Sequence, residues 1–200
     1  MLRALKLFAA LAALLACVSS ASAQTKGWKN ATGAGLKFEV PNDFRTTSGL
    51  GPGYLSDGNS TQAFQLHYLS AANFDRYIFA SAGYGYVVIS PYYRGDMDDL
   101  ATESLSSILS NINIPGIGTM RLDLDDAKVA EYETMGIQVS ETKATSAATG
   151  REYRVYFALA FRRAGNGRAK MVYMLTGCPE DDIDDNNQVL STILSSFKEP

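Results

Sequence analysis

The sequence predicts an α+β domain in which helices pack on an antiparallel β-sheet. Two observations support this fold class. Apolar residues alternate with a period of two in several short segments, as in half-buried strands, and two longer segments have the helical period instead. The elements follow one another as strands, a helix, more strands and a terminal helix, which favours an antiparallel sheet over alternating βαβ units.

The first strand candidates lie between residues 35 and 90. The segment "GLKFEV" (35–40) alternates apolar and charged residues, and "TQAFQLHYLS" (61–70) alternates again. "RYIFA" (76–80) and "YGYVVIS" (84–90) are rich in β-branched and aromatic residues, which favour strands. "SGLGPGYLSDGNS" (48–60) is rich in glycine and predicts an exposed loop.

Two segments predict helices. In "DMDDLATESLSSILSNI" (96–112), apolar residues form one helical stripe, and Asp96 stands where an N-cap is expected. "NNQVLSTILSSF" (186–197) carries a second stripe. Asp184 and Asp185 precede it, where negative charge is stabilised by the helix dipole.

Strand patterns return between the two helices. "MRLDLD" (120–125) and "MGIQVS" (135–140) alternate, and the longest alternating run is "REYRVYFALAF" (151–161). The turn sequence "RRAGNGR" then leads to "KMVYML" (170–175), so the last two segments are predicted to form a hairpin. The second face of the long run carries small and aromatic residues, which indicates that something covers that side as well.

Residues 1–23 are predicted to be a secretory signal peptide. A short positive start precedes an apolar run of ten residues (7–16), which is too short to span a bilayer. Small residues suit cleavage before Gln24, giving a periplasmic or secreted product. Cys17 follows "LLA", which resembles a lipobox, so the alternative is a lipoprotein anchored to a membrane through acylated Cys17.

After the signal peptide we predict a flexible leader (24–34) and a single α+β domain (35–200). Removal of residues 1–23 takes two of the 18 basic residues and none of the 21 acidic ones, so the mature net charge is 16 − 21 = −5. An acidic chain without a basic cluster has no electrostatic reason to bind nucleic acid. Cys178 is then the single cysteine, and we expect it to be buried.

The order of elements resembles a known superfamily. An early strand is followed by "VPNDF" (40–44), the predicted mid-chain helix follows "VVISP" (87–91), and the closing helix ends in "ILSSF" (193–197). With the long hairpin, these features are similar to the PsbP/Mog/DcrB-like superfamily over residues 35–198, although Phe44 stands where such domains commonly have tryptophan. The resemblance implies an α/β/α sandwich with a central antiparallel sheet and a role as a binding or assembly factor. The resemblance assigns no catalytic residue to this sequence.

The segment "GYGYVVISPYYRGD" contains the residues that we predict to bind a partner. Tyrosine and arginine are typical of binding hot spots, because they bury much area and keep polar tips. Tyr84 and Tyr86 are expected to project from the same side of a strand. The alternative is that they are ordinary residues of the sheet face without a binding role. The predicted binding residues are Tyr84, Tyr86, Tyr92, Tyr93 and Arg94. We therefore favour a non-catalytic exported protein with a protein partner in the cell envelope.

Two alternatives remain open. One is an exported hydrolase that uses His67, the only histidine, although no "GxSxG" motif accompanies it. The other is a carrier of an apolar ligand between sheet and helix. No metal or cofactor is predicted. The acidic segment "EDDIDDNNQ" resembles part of an EF-hand loop, but it has Asn187 and Ile193 where such a loop needs glycine and glutamate. The segment is better explained as the solvated start of a helix.

Overall fold

A computed structural model describes residues 27–56, 61–89, 112–114, 117–134 and 136–199. Over these residues the chain is 69% strand and 12% helix. The strands are β1 (Trp28–Gly33), β2 (Leu36–Pro41), β3 (Arg45–Ser56), β4 (Thr61–Asn73), β5 (Ile78–Val88), β6 (Ile112–Ile114), β7 (Gly118–Leu122), β8 (Lys128–Thr134), β9 (Ile137–Ser146), β10 (Glu152–Gly165) and β11 (Arg168–Pro179). A short 3₁₀ turn (Glu180–Asp182) leads into helix α1 (Ile183–Ser196).

The strands of the described part form one large curled sheet and one small hairpin. The nine-stranded sheet has the order β3-β4-β5-β11-β10-β9-β7-β6, and β8 also pairs with β9. Strands β1 and β2 form a separate antiparallel hairpin. The predicted hairpin around "RRAGNGR" is confirmed, because β10 and β11 pair antiparallel along most of their length.

The predicted α/β/α sandwich is wrong. The described residues form a single curled antiparallel sheet with one short C-terminal helix, not a sheet between two helical layers. A β-hairpin, rather than a helix, supplies part of the cover on one face of the sheet. The helix predicted over 96–112 lies outside the described residues, except that Ile112 begins strand β6. The predicted signal peptide, with Cys17, also lies outside the described residues.

Part of the predicted flexible leader is a strand. Residues 24–34 lack periodicity, yet Trp28–Gly33 pair with β2 through a tight turn in which Ala34 and Gly35 have positive φ. The pattern is weak because Ala31 alone is fully buried on β1, so a single apolar position carries the packing of the whole strand.

The predicted glycine-rich loop over 48–60 is a strand as far as Ser56. Its glycines face aromatic rings of the neighbouring strand: a Cβ added to Gly53 would stand 2.5 Å from the Phe64 ring. On the other side of β4, a Cβ on Gly85 would stand 2.6 Å from that same ring. At Gly53 and Gly85, the close approach of the Phe64 ring leaves no room for a Cβ atom, and this is what requires glycine. A loop conformation is not the reason.

We call the sheet face that carries Ala80, Ala158 and Met174 the helix-side face. Helix α1 and the β1–β2 hairpin cover it, and their apolar side chains join those of the sheet in one buried cluster. The chain end is also fixed there, because Lys37 and Lys198 exchange two backbone hydrogen bonds of 3.1 and 2.7 Å. The second face of "REYRVYFALAF" is therefore covered by protein, with Tyr156 and Ala158 buried in the same cluster as Leu190.

Candidate functional site

The part of the helix-side face that lies on β3, β4 and β5 carries exposed apolar and aromatic side chains. Strand register sets Leu50 beside His67, and His67 beside Tyr84. Because alternate residues of a strand share a face, residues two or four positions from these on the same strands point the same way. We call the following set the aromatic face: Leu50, Tyr54, His67, Tyr84, Tyr86 and Val88.

Ring contacts order the centre of the aromatic face. His67 and Tyr84 are stacked, with centroids 4.6 Å apart and an interplanar angle of 6°. Tyr86 meets Tyr84 edge-on at 6.4 Å. The Lys170 Nζ lies 5.2 Å from the centroid of the Tyr84 ring and 2.9 Å from a Glu199 carboxylate oxygen. Tyr84 is thus held from three sides, which gives a rigid platform.

The outer side chains of the aromatic face are strongly exposed. Exposed fractions are 56% for Leu50, 58% for Tyr54, 46% for Tyr86 and 58% for Val88. In the described part of the chain these are four of the seven exposed large apolar or aromatic residues. Single exposed apolar residues need no explanation, but a contiguous group of them is typical of an interaction surface.

Two of the five predicted binding residues lie on this face. Tyr84 is half-buried and Tyr86 is exposed, and both project from the same side of β5 as expected. Tyr92, Tyr93 and Arg94 lie outside the described residues. The sequence does not predict the contributions of β3, because its glycines are typical of a loop. The signal was nevertheless present, since Leu50 and Tyr54 are four positions apart and therefore share a face if the segment is a strand.

His67 and Cys178 have the surroundings of structural residues. Among the residues that the structure describes, no hydrogen bond joins His67 to a serine, a cysteine or an acidic side chain, as a catalytic base would require. Cys178 is buried as expected, and this burial raises the pKa of its thiol to about 12. A thiol with such a pKa is a poor nucleophile at neutral pH.

The acidic segment forms the start of α1, as predicted. The Asn186 side chain donates to the Asp182 carbonyl at 2.7 Å and accepts from Arg76. The Asp182 carboxylate pairs with Arg151 at 3.4 Å. These oxygens are thus engaged by the protein, and in the described ranges no group of three or more His, Cys, Asp or Glu side chains is arranged to hold a metal ion.

A second feature, which the sequence did not indicate, is a cleft between α1 and strands β8, β9 and β10. Its volume is about 480 Å³, within the range of ligand sites. We call it the polar cleft. The side chains that give it its character are Glu131, Tyr132, Glu141, Arg154, Tyr156 and Asp184.

Ion pairs order the inner wall of the polar cleft. Arg154 donates to both carboxylate oxygens of Glu180, at 3.0 and 2.5 Å, and to Glu141 at 3.4 Å. The hydrogen bonds with Glu180 raise the pKa of Arg154, and they lower the pKa of Glu180. Burial, with a smaller effect of Glu141, raises the pKa of Tyr156 to about 12. Arg154 is therefore a fixed structural cation and Tyr156 a neutral phenol at physiological pH.

No helix of the described residues has both the length and the apolar composition needed to cross a membrane. No family model matches the chain. No curated protein sequence matches it either.

Among solved structures, the chain is similar to the crystal structure of LpqN, which is described as involved in cell envelope biogenesis of Mycobacterium tuberculosis. The match has 9% identity and a TM-score of 0.38, and it covers 87% of this chain and 91% of that one. A likeness of this degree supports no inference about activity or partners. The resemblance to the PsbP/Mog/DcrB-like superfamily thus stays a prediction.

Proposed function

We propose that this chain is an exported, non-catalytic protein of the cell envelope that acts as a binding or assembly factor, and that it binds a protein partner through the aromatic face. The observation that carries the proposal is a group of four exposed side chains on one face of the sheet, Leu50 and Tyr54 on β3 and Tyr86 and Val88 on β5, with the stack of His67 on Tyr84 between them.

The composition of the aromatic face suits a protein partner. Tyrosine rings that are already ordered in the free protein lose little conformational freedom on binding, so more of the contact energy appears as affinity. The exposed members are uncharged, and Lys170 beside them is paired with Glu199. Interface cores have this combination of aromatic enrichment and charge depletion. These four side chains are each about half exposed, so they stand out from the same face of the sheet and can enter recesses of a partner surface.

Export is supported by residues 1–23, which combine a positive start, an apolar run of ten and a small-residue cleavage site. The two processing routes predict different products. Cleavage before Gln24 gives a soluble protein, whereas acylation of Cys17 tethers it to a membrane. The mass of the denatured protein, purified from its own envelope, distinguishes a chain that starts at Gln24 from one that starts at Cys17 and carries acyl chains.

The binding proposal is tested by comparing two tyrosine variants. Tyr86→Ala removes an exposed ring from the aromatic face, whereas Tyr77→Ala removes a similarly exposed ring (42% exposed) from the β4–β5 turn. An envelope protein that co-purifies with the wild-type chain should be retained by Tyr77→Ala and lost, or weakened about tenfold or more, by Tyr86→Ala, as at a hot spot. Equal retention by both variants would contradict the assignment of the surface.

A further inference from the structure

We infer that the polar cleft binds a ligand through an aliphatic ammonium group, which the carboxylates of Glu131, Glu141 and Asp184 and the ring of Tyr132 would receive. This inference is independent of the proposed function, because the cleft and the aromatic face share no residue.

The first argument is the distortion of strand β8. Val129 pairs with Ser140 and Glu133 pairs with Gln138, so three residues of β8 oppose the single residue Val139 on β9. Such a bulge re-aims side chains and is often found next to functional sites. Here it occurs where Glu131 and Tyr132 line the cleft.

A side chain of β9 holds the bulge in place. The Gln138 side-chain amide donates to the Ala130 carbonyl at 2.6 Å and to the Tyr132 carbonyl at 3.1 Å. Both carbonyls lie in the segment that the bulge removes from the regular ladder, and an unpaired buried acceptor is costly. The bulge is therefore a stable part of the fold, and the direction of Tyr132 is set before any ligand arrives.

The second argument is the arrangement of the two tyrosines. The rings of Tyr132 and Tyr156 have centroids 5.4 Å apart and an interplanar angle of 85°, so the buried Tyr156 holds the half-buried Tyr132 ring in an edge-to-face contact. The Tyr132 hydroxyl donates to the Asn187 side-chain oxygen at 2.5 Å, which fixes the outer ring against α1. Cations are attracted to aromatic ring faces, so the fixed Tyr132 ring offers a contact to an ammonium group in the cleft.

The third argument is the charge of the lining. It contains three carboxylates, on Glu131, Glu141 and Asp184, and one guanidinium, on Arg154. Arg154 is already held by Glu180 and Glu141, and within the described part of the chain no ion pair joins Glu131 or Asp184 to a basic residue. The lining has an excess of negative charge, which favours a cation and opposes an anionic ligand.

The start of α1 does not reverse this balance. A helix N-terminus contributes about half a positive charge. The first turns of this helix and the preceding 3₁₀ turn carry five acidic residues, which more than offset it: Glu180, Asp181, Asp182, Asp184 and Asp185.

Two probes of matched length separate the effect of charge from that of shape. 1,5-Diaminopentane carries two ammonium groups, and 1,5-pentanediol replaces them with hydroxyls. Titrated into the ¹⁵N-labelled protein at low ionic strength, the diamine should shift the backbone amide resonances of Glu131, Tyr132 and Glu141, and the diol should not. Added salt should weaken the diamine binding, because exposed charges are screened.

Matched variants test the carboxylates. Glu131→Gln combined with Asp184→Asn should weaken diamine binding about tenfold or more, since it removes two ammonium partners. Glu133→Gln removes the same charge from an exposed position two residues further along β8, outside the cleft, and should leave the affinity unchanged. Tyr132→Leu keeps all the carboxylates and should still weaken binding severalfold if the ring contributes.

The inference is overturned by any of three results. The first is that the protein binds the diamine and the diol with equal affinity. The second is that the diamine does not bind to the cleft residues. The third is that the cleft double variant and Glu133→Gln lose the same affinity for the diamine. A thermal melt of each variant, matched to that of the wild-type chain, ensures that a loss of binding is not a loss of folding.

Discussion

At the scale of single residues, the curled sheet depends on glycines that leave room for aromatic rings. Gly51 and Gly85 both pair with Leu66, from opposite sides of β4. A Cβ on Gly85 would stand 2.6 Å from the Phe64 ring and 2.8 Å from the Gln65 carbonyl, which is backbone and cannot move away. A Cβ on Gly51 would meet its nearest atom, on Tyr68, at an ordinary 3.8 Å.

Gly85→Ala is therefore expected to destabilise the protein, and Gly51→Ala is its matched control. Forced overpacking typically costs about 1–3 kcal/mol. Urea unfolding should show a loss in this range for Gly85→Ala and a change within about 0.5 kcal/mol for Gly51→Ala. Similar values for the two variants would mean that close approach of Phe64 and the Gln65 carbonyl is not what selects glycine at position 85.

A second residue-scale prediction concerns the Arg154–Glu180 ion pair. The pKa of Glu180 is lowered in the folded protein, so its contribution to stability is present above the pKa of the unfolded chain and is lost as the pH falls through the folded pKa. Glu180→Gln should cost about 1 kcal/mol at neutral pH. The gap between wild type and variant should close as the pH is lowered below about 4.5, where unfolded glutamate becomes protonated. A gap independent of pH would contradict the role of the charged carboxylate.

Sequence reasoning at this scale identified Tyr84 and Tyr86 as neighbours on one side of a strand, because alternation alone determines that. It did not identify Leu50 or Tyr54 as their companions. Those neighbours depend on which strands pair and in what register, and pairing partners distant in the chain leave no mark in a local pattern.

At the scale of elements, helix α1 was predictable because its apolar stripe is continuous. The predicted stripe starts at residue 186, whereas the helix begins at Ile183, because Asp184 and Asp185 belong to its first turn. Strand β8 was missed because few apolar side chains mark its buried side: Ala130, Tyr132 and Thr134 alternate inward, but one of them is polar, and the apolar Val129 is exposed.

The packing of α1 on the helix-side face gives an element-scale prediction. Leu190 is fully buried between the helix and the sheet, whereas Gln188 on the same helix is exposed. Leu190→Ala should lower the free energy of unfolding by about 2–5 kcal/mol, because it leaves a cavity. Gln188→Ala should change it by less than about 0.5 kcal/mol. Chemical denaturation monitored by circular dichroism measures both values, and a small effect of Leu190→Ala would show that α1 is not part of the core.

At the scale of the whole molecule, Cys178 reports on global stability. Its thiol is buried in the main cluster and burial raises its pKa to about 12, so at a given pH near neutrality it has about a thousandfold less thiolate than a free cysteine. Labelling by a disulfide reagent should be slow in the folded protein and become rapid across the unfolding transition. Rapid labelling of the folded chain would contradict the burial of β11.

The antiparallel sheet was predictable as a whole, but its cover was not. Alternating segments identified the long strands β4, β5, β10 and β11, though not β3, and the order of elements favoured an antiparallel sheet. The sandwich prediction failed because it assigned both faces to helices. The β1–β2 hairpin takes part of that place; β2 alternates clearly, but β1 shows little pattern because Ala31 alone is fully buried on it.

The most direct test of the central claim is site-specific photo-crosslinking in the native envelope. A photoreactive phenylalanine analogue is placed at position 86 on the aromatic face, and separately at position 77 as a control of similar exposure. The account predicts one defined protein adduct from position 86 that is absent from position 77. Adducts of the same kind from both positions, or none from position 86 in a correctly exported and folded chain, would contradict a binding role of the aromatic face.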